Sequence, residues 1–148
     1  METPINKPDV VFYALTNNNQ LLKYNAQTTS MASATVALTG LPAGESIISI
    51  DFRPATGQLY GLGSTSRLYT LNTENGAALA VGTTTFSPAL NSNVANIDFN
   101  PTVDRVRVVT NTGQNLRLHP ELGTVAATDG SINGGTNPSI TSIAYTNS

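Results

Sequence analysis

The chain contains no cysteine, a single histidine and few charged residues. The absence of cysteine excludes disulfide bridges, zinc–thiolate sites and a cysteine nucleophile. Charged residues make up 11% of the 148 positions, about half of the usual fraction, and the net charge is −2. Because no basic patch is available to neutralise phosphates, this composition argues against nucleic-acid binding.

Long apolar runs are absent as well. No stretch approaches the length of a membrane span, and no helical periodicity extends beyond a turn. The N-terminal residues lack the apolar core of a signal peptide, so either the protein stays in the cytoplasm or a signal has been removed. The surplus of Asn, Thr, Ser and Gly favours an exported bacterial protein over a cytoplasmic one.

What the chain does contain is a pattern that returns at a fixed interval. The string IDFRP at 50–54 recurs as IDFNP at 97–101, after 47 residues, and as IAYTN at 143–147, after 46. The intervening segments also match, since LYGL at 59–62 lies 47 residues after FYAL at 12–15. A period in the forties made of short strands is typical of a β-propeller blade.

The second repeat predicts one complete blade of four antiparallel strands. Ser49 to Phe52, Gln58 to Leu62, Arg67 to Leu71 and Ala77 to Val81 are the predicted strands, and Asn75-Gly76 is the strongest hairpin signal. We therefore predict an all-β protein, a β-propeller of about 47-residue blades. Apolar residues on both faces of several strands fit sheets covered on both sides. A β-sandwich, which has no reason to repeat at this interval, is the alternative.

The repeats begin out of frame, which predicts how the protein assembles. Residues 1–9 are a tail, and residues 10–148 form three blades, at 10–46 plus 140–146, at 47–93 and at 94–139. The chain opens on a second strand, Val10 to Thr16, and ends on a lone first strand, Ile140 to Thr146. Three blades are too few for a ring of about 4–8. We expect a homodimeric six-bladed ring in which each strand at 140–146 completes the partner's first blade.

Three segments carry a resemblance to a known family. They are DFNPTVDRVRVVTNTGQNLRLHPELG at 98–123, SIDFRPATGQLYGLG at 49–63 and ALTNNNQLLKYN at 14–25. Over nearly all of residues 12–147 the chain resembles the bacterial domain-of-unknown-function family numbered four-three-nine-four. Members run to nearly twice this length, so the resemblance implies that this chain corresponds to their N-terminal half. It supplies no activity and no catalytic residues.

Charged side chains supply the candidate polar site. Asp51 and Asp98 hold equivalent positions, and paired carboxylates can perform acid–base chemistry, although the third repeat has Ala144 there. Arg105 and Arg107, near Arg117, can bind anions. The interpretation we favour is structural, with Asp51, Asp98, Arg105 and Arg107 forming a cluster along the channel or between blades. We expect the arginines to pair with Asp98, Asp104 or Glu121.

Other chemistry has weaker support. Residues 129–134, DGSING, match the first half of a calcium loop, but the glutamate expected at its twelfth position is Ile140. His119, the only histidine, precedes a turn and is expected to cap it. No catalytic triad, phosphate loop or zinc motif is present. We therefore predict no metal and no cofactor.

The loops that lead into the first, innermost strand of each predicted blade are the candidate binding surface, and together we call them the rim. They span 39–46, 82–93 and 127–139 and are rich in polar uncharged residues. We single out Phe86, expected to be exposed, with Asn91, Asn93, Asp129 and Asn133. The function we favour is a non-enzymatic scaffold or binding module for a glycan or surface protein. The alternative is an enzyme that uses Asp and Arg side chains in the channel.

Overall fold

The computed structural model describes residues 6–146, and within them every regular element is a strand. Eleven strands form three antiparallel sheets of three, four and four strands, in accordance with the predicted all-β class. Sheet 1 contains β1 (Val11–Leu15), β2 (Gln20–Asn25) and β3 (Ala34–Ala37). Sheet 2 contains β4 (Ile47–Phe52), β5 (Leu59–Gly63), β6 (Arg67–Leu71) and β7 (Ala78–Ala80). Sheet 3 contains β8 (Ala95–Asn100), β9 (Arg105–Thr110), β10 (Asn115–Leu118) and β11 (Val125–Thr128).

The strands of each sheet follow one another in chain order, because tight turns join them. In sheet 2, Phe52 lies opposite Leu59, and in sheet 3, Phe99 lies opposite Val106. Likewise, Phe12 of sheet 1 lies opposite Tyr24, and Val106 lies opposite Leu118. The registers can therefore be compared position by position between the sheets.

Two apolar clusters hold the three sheets together. Alternate residues of a strand point to opposite faces, so each strand can contribute to both neighbouring interfaces. The cluster between sheets 1 and 2 contains Leu21, Leu38, Ile47, Leu59, Tyr69 and Leu71. The cluster between sheets 2 and 3 is larger, and its buried members include Tyr60, Leu62, Leu68, Phe86, Ile97, Phe99, Val106, Val108, Leu116 and Leu118. Every residue of β5 is buried, since sheet 2 lies between its two neighbours.

The turn at Asn75-Gly76 also joins sheet 2 to sheet 1. Gly76 has a φ of 76°, and a Cβ at this position would lie 2.0 Å from the carbonyl oxygen of Ala37. The Gly76 carbonyl accepts a hydrogen bond from the amide of Thr39 at 3.0 Å. Glycine is therefore required here both by the backbone conformation and by the close approach of β3.

Three expectations from the sequence need correction. Residues 140–146 lie against β8 and are not a strand in the described chain, because no neighbouring strand is there to pair with them. Phe86 is only 3% exposed and belongs to the cluster between sheets 2 and 3, so it is a core residue and not an exposed anchor. The predicted strand at 77–81 is also shorter, since β7 covers only Ala78–Ala80.

Over residues 6–146, no helix has the length and apolar character that crossing a membrane would require.

Candidate functional site

Asp51 is the side chain that ties the first strand of sheet 2 to the first strand of sheet 3. Its Oδ2 accepts a hydrogen bond from the amide of Phe99 at 2.8 Å, and Ser49 Oγ accepts one from the amide of Ile97 at 3.0 Å. These amides lie on the edge of β8 that faces away from β9. Polar side chains of one sheet therefore satisfy backbone donors of the next, as buried or half-buried amides require.

Residues 140–146 meet β8 in the same way. Asp98 Oδ2 accepts a hydrogen bond from the amide of Tyr145, and Asn96 donates its side-chain amide to the carbonyl of Thr141 at 3.2 Å. Asp98 corresponds to Asp51 at an interval of 47 residues, and Tyr145 corresponds to Phe99 in the recurring string. The C-terminal segment thus occupies against β8 the place that β8 occupies against β4.

Side-chain contacts between neighbouring sheets also recur at corresponding positions of the repeats. Tyr13 of β1 contacts Phe52 with ring centroids 5.7 Å apart, and Tyr60 of β5 contacts Phe99 at 5.1 Å. The residue of β9 at the corresponding position is Arg107, whose Nε donates to the Tyr145 hydroxyl at 3.0 Å. The third contact therefore joins the positions that correspond to the other two, with an arginine in place of a tyrosine and a hydrogen bond in place of a ring contact.

Arg107 and Arg117 share one carboxylate on the outer side of sheet 3. Asp129 accepts hydrogen bonds from both guanidinium groups, including a two-pronged pair from Arg117 at 2.8 and 2.9 Å. The Arg117 side chain, followed by that of Arg107, holds the pKa of Asp129 below its usual value. Asp129 had been considered as a calcium ligand and as a rim residue, and its oxygens are engaged by these arginines instead.

The other charged contact crosses from sheet 2 to sheet 3. Arg53, only 6% exposed, donates to both oxygens of Asp104 and to Glu121 at 3.1 Å. The sequence predicted that Arg105, Arg107 and Arg117 would pair with Asp98, Asp104 or Glu121. Instead, Arg53 pairs with Asp104 and Glu121, and Arg107 and Arg117 pair with Asp129. Arg105 donates to the backbone carbonyls of Val103 and Asp104.

Asp98 is the carboxylate with the most unusual environment. Burial raises the pKa of Asp98, and the nearby Asp51 raises it further, while the hydrogen bond from the Tyr145 amide opposes both effects. A cavity of about 160 Å³ lies beside Asp98, Arg107, Asn115 and Tyr145. The arrangement can shift a proton equilibrium, but one oxygen of each aspartate is occupied by a backbone amide.

The remaining rim residues have different environments. Asn91 Oδ1 accepts hydrogen bonds from Thr110 and Thr112, each at 2.9 Å, so this side chain fixes a turn. Asn93 and Asn133 are exposed. A cavity of about 420 Å³ runs from Asn93 past Ser46 to Thr16, where the first strands of sheets 2 and 3 begin.

His119 has a structural position in a turn, and no metal site is formed around it in the described residues. His119 lies in the turn between β10 and β11, where its amide donates to Thr124 and its carbonyl accepts from Gly123, each at 2.9 Å. Within residues 6–146, no three carboxylate, histidine or cysteine side chains are grouped so that they could hold a metal ion.

Residues 20–148 match the family described as Domain of unknown function (DUF4394). The chain belongs to this family. The match covers sheets 2 and 3 in full and begins in sheet 1 at β2. No curated protein sequence matches the chain. Membership confirms the resemblance carried by the three segments quoted above, and it brings no activity with it.

Proposed function

We propose that the protein is a non-enzymatic binding module of the β-propeller type, in which two chains of three blades each close one six-bladed ring. The observation that carries this proposal is the placement of residues 140–146. They contact β8 through Asp98 and β9 through Arg107, as β8 contacts β4 through Asp51 and β5 through Tyr60. Residues 140–146 are thus placed like the first strand of a further blade.

Within residues 6–146, sheet 1 has no strand at the position that β4 and β8 hold in the other two sheets. Sheet 1 has three strands, with β1 at its edge, whereas sheets 2 and 3 each have a fourth strand at that place. Val10, Val11 and Phe12 along this edge are 50%, 48% and 42% exposed. Unpaired apolar edges are sites of strand addition, so β1 can accept the segment of a second copy. With three blades per chain, six is the only multiple within the usual range of about 4–8 blades.

The ring fixes a register that can be tested. By analogy with Phe99 opposite Val106 and Ile97 opposite Val108, Tyr145 lies opposite Phe12 of the partner chain and Ile143 opposite Ala14. The amides of Ile97 and Phe99 point away from β9, which makes these positions non-hydrogen-bonded pairs. Such pairs bring the two Cα atoms to about 4.5 Å, within the range that a disulfide spans.

The test uses the absence of cysteine in the natural chain. Ala14→Cys chains are mixed with Ile143→Cys chains, and we expect a disulfide-linked dimer on a non-reducing gel. The matched control replaces Ile143→Cys with Ala144→Cys, whose side chain points to the other face, and should link poorly. Light scattering of the parent should give twice 15.5 kDa. A stable 15.5 kDa monomer at micromolar concentration, or equal linking in both mixtures, would refute the ring.

The ligand surface we propose is the rim that carries Asn93 and Asn133. Exposed amide and hydroxyl groups offer uncharged donors and acceptors, which suits the hydroxyls of a glycan, and a surface protein is the second class to screen. We expect Asn93→Ala and Asn133→Ala to weaken binding on a glycan and surface-protein array while the melting temperature is unchanged. Gln27→Ala, an exposed substitution in the β2–β3 loop, is the control.

One observation favours an enzyme as the second candidate. The pKa of Asp98 is raised beside Asp51 and Arg107, as acid–base groups often require. If Asp51→Asn and Asp98→Asn abolished ligand binding or turnover in a normally folded protein, while the rim variants behaved like the parent, the site would be this cluster. We place the binding module first because both aspartates hold backbone amides.

A further inference from the structure

Sheets 1 and 3 each have one face that no other sheet of the described chain covers. In sheet 1, Tyr13, Leu15 and Leu21 face sheet 2, so alternation places their strand neighbours on the uncovered face. We call this the aromatic face; it consists of Phe12, Ala14, Leu22 and Tyr24. In sheet 3, Val106, Val108, Leu116 and Leu118 face sheet 2. We call the opposite side the arginine face; it consists of Arg107, Val109, Asn115 and Arg117. Residues 143–145 of the same chain lie against Arg107 and Val109, and Arg117 is the more exposed of the two arginines.

Corresponding positions show which faces belong together. The sheet 2 residues that cover sheet 3 include Tyr60, Leu62 and Leu68, and their equivalents in sheet 3, 47 residues later, are Arg107, Val109 and Asn115. The residues of sheet 3 that receive sheet 2 include Val106 and Leu118, and their equivalents in sheet 1, 94 residues earlier, are Phe12 and Tyr24.

We propose that the arginine face of one chain packs on the aromatic face of a second copy, so that each seam between chains is an arginine–aromatic contact. This inference rests on the proposed ring and names the side chains that hold it together. The residue differences on the covering face are matched by residue differences on the receiving face. Where a tyrosine and a leucine of the covering face are replaced by arginine and asparagine, the receiving face has Phe12 and Tyr24 in place of aliphatic residues.

The chemistry of both faces fits this contact. Phe12 and Tyr24 are already stacked, with ring centroids 5.4 Å apart and planes inclined by 11°, so they present one flat surface of two rings. Arg117 is held by its two-pronged pair with Asp129, which fixes the plane of the guanidinium. Its side chain is 42% exposed. A planar cation over an aromatic ring is attracted by the negative face of the ring.

The experiment is a double-mutant cycle on the dissociation constant of the dimer, measured by sedimentation of the full chain from nanomolar to micromolar concentration. Arg117→Met and Tyr24→Leu should each weaken the dimer about two- to thirtyfold, the range expected for a cation–π contact. The double variant should lose at least threefold less than the product of the two single losses. Tyr24→Phe, which keeps the ring, should bind within about twofold of the parent.

Controls separate this seam from general effects of charge or folding. Arg105→Met removes the same charge from the neighbouring strand β9, but Arg105 binds carbonyls of its own turn, so the dimer should change less than about twofold. Far-UV circular dichroism checks the fold of each variant, and Arg117→Lys gives a milder second test with an intermediate loss.

The outcomes distinguish this inference from the ring itself. If the cysteine mixture links and the parent is a dimer, but the losses from Arg117→Met and Tyr24→Leu simply multiply, the seam inference is wrong and the ring stands. If Arg105→Met weakens the dimer as much as Arg117→Met, the effect is one of net charge and the inference is also wrong. A parent that stays monomeric overturns both.

Discussion

Sheet 2 and sheet 3 share their strand order and most of the register of their first three strands, yet they differ in what covers them. Sheet 2 has a neighbouring sheet on each face, and every residue of β5 is buried. Sheet 3 has a neighbouring sheet on one face only; its other face carries Arg107, Arg117 and their shared Asp129, and the C-terminal segment lies against part of it. The comparison shows that a sheet face is apolar where a neighbouring sheet of the same chain covers it and more polar where none does. The predictions below test this difference from the largest effect to the smallest.

Deleting residues 139–148 should have the largest effect, because it uncovers the outer side of sheet 3. Ile140, Ile143 and Tyr145 are partly buried, and large side chains contribute roughly 1.5–3 kcal/mol each when fully buried. Their loss is a large fraction of a typical net stability of about 5–15 kcal/mol. We expect the truncated chain to unfold or aggregate in thermal melting. A melting temperature within a few degrees of the parent would contradict the role of this segment.

Two leucines of sheet 2 compare a covered face with an exposed edge. Leu68 is 0% exposed in the cluster shared with sheet 3, and Leu79 of β7 is 72% exposed. Leu68→Ala should lower the free energy of unfolding by about 2–5 kcal/mol, because a cavity remains between the sheets. Leu79→Ala should change it by less than about 0.5 kcal/mol. Urea denaturation of both variants measures the difference, and equal losses would show that the cluster is not the main core.

Glu45 is a buried carboxylate two residues before β4, and its substitution tests what such a group contributes to stability. It is 5% exposed and accepts hydrogen bonds from Ser64, Thr65 and Tyr69. Burial tends to raise the pKa of Glu45, but these bonds outweigh burial and bring it below the ordinary 4.5. Glu45→Gln should cost roughly 1.5–3 kcal/mol at pH 7, since Gln keeps only one acceptor oxygen.

The direction of the pKa shift of Glu45 determines how the stability of the protein depends on pH. A lowered carboxylate pKa gives stability that is complete above the unfolded value and is lost as the pH falls through the folded value. The parent should therefore lose stability below about pH 4.5 faster than Glu45→Gln does. Glu74→Gln, at an exposed turn position, is the control. Parallel pH profiles of parent and Glu45→Gln in urea denaturation would show that Glu45 is not the titrating group.

The two equivalent aspartates give the smallest and finest comparison. Asp51→Asn should cost about 1 kcal/mol, because a charged acceptor for the Phe99 amide becomes neutral. Asp98→Asn should cost less or even stabilise the chain at pH 7, because burial raises the pKa of Asp98 and the charged form is disfavoured there. Asp98 should correspondingly reduce stability as the pH rises from its unfolded to its folded pKa. Equal losses for both variants would mean that the C-terminal segment holds Asp98 as firmly as β8 holds Asp51.

The recurring strings predicted the strands closely, since short-range patterns fix them. Alternation and tight turns placed β4, β5 and β6 within two residues of their bounds, and Asn75-Gly76 marked its turn. The environment of Phe86 could not be predicted, because a single aromatic in a polar loop resembles an exposed anchor. It is buried because the loop folds back over β6, where the Phe86 amide donates to the Ser66 carbonyl at 2.8 Å.

The polar site was predicted only in part, for a similar reason. The equivalence of Asp51 and Asp98 was visible at an interval of 47 residues, and a structural role was the favoured interpretation. The partners of the arginines were not visible, since Arg53 and Asp104 lie 51 residues apart and Arg107 meets Asp129 across two turns. Glu45 gave no signal at all, because an isolated carboxylate in a loop is usually solvated.

The sequence by itself determined the all-β class, the positions of most strands and the family, since these depend on alternation, turn residues and a long specific string. Only the tertiary structure decided which face of each sheet is covered and where the C-terminal segment lies. It also decided which carboxylate each arginine meets. These features depend on the packing of sheets distant in sequence, where one residue's environment is set by neighbours 20 to 70 positions away.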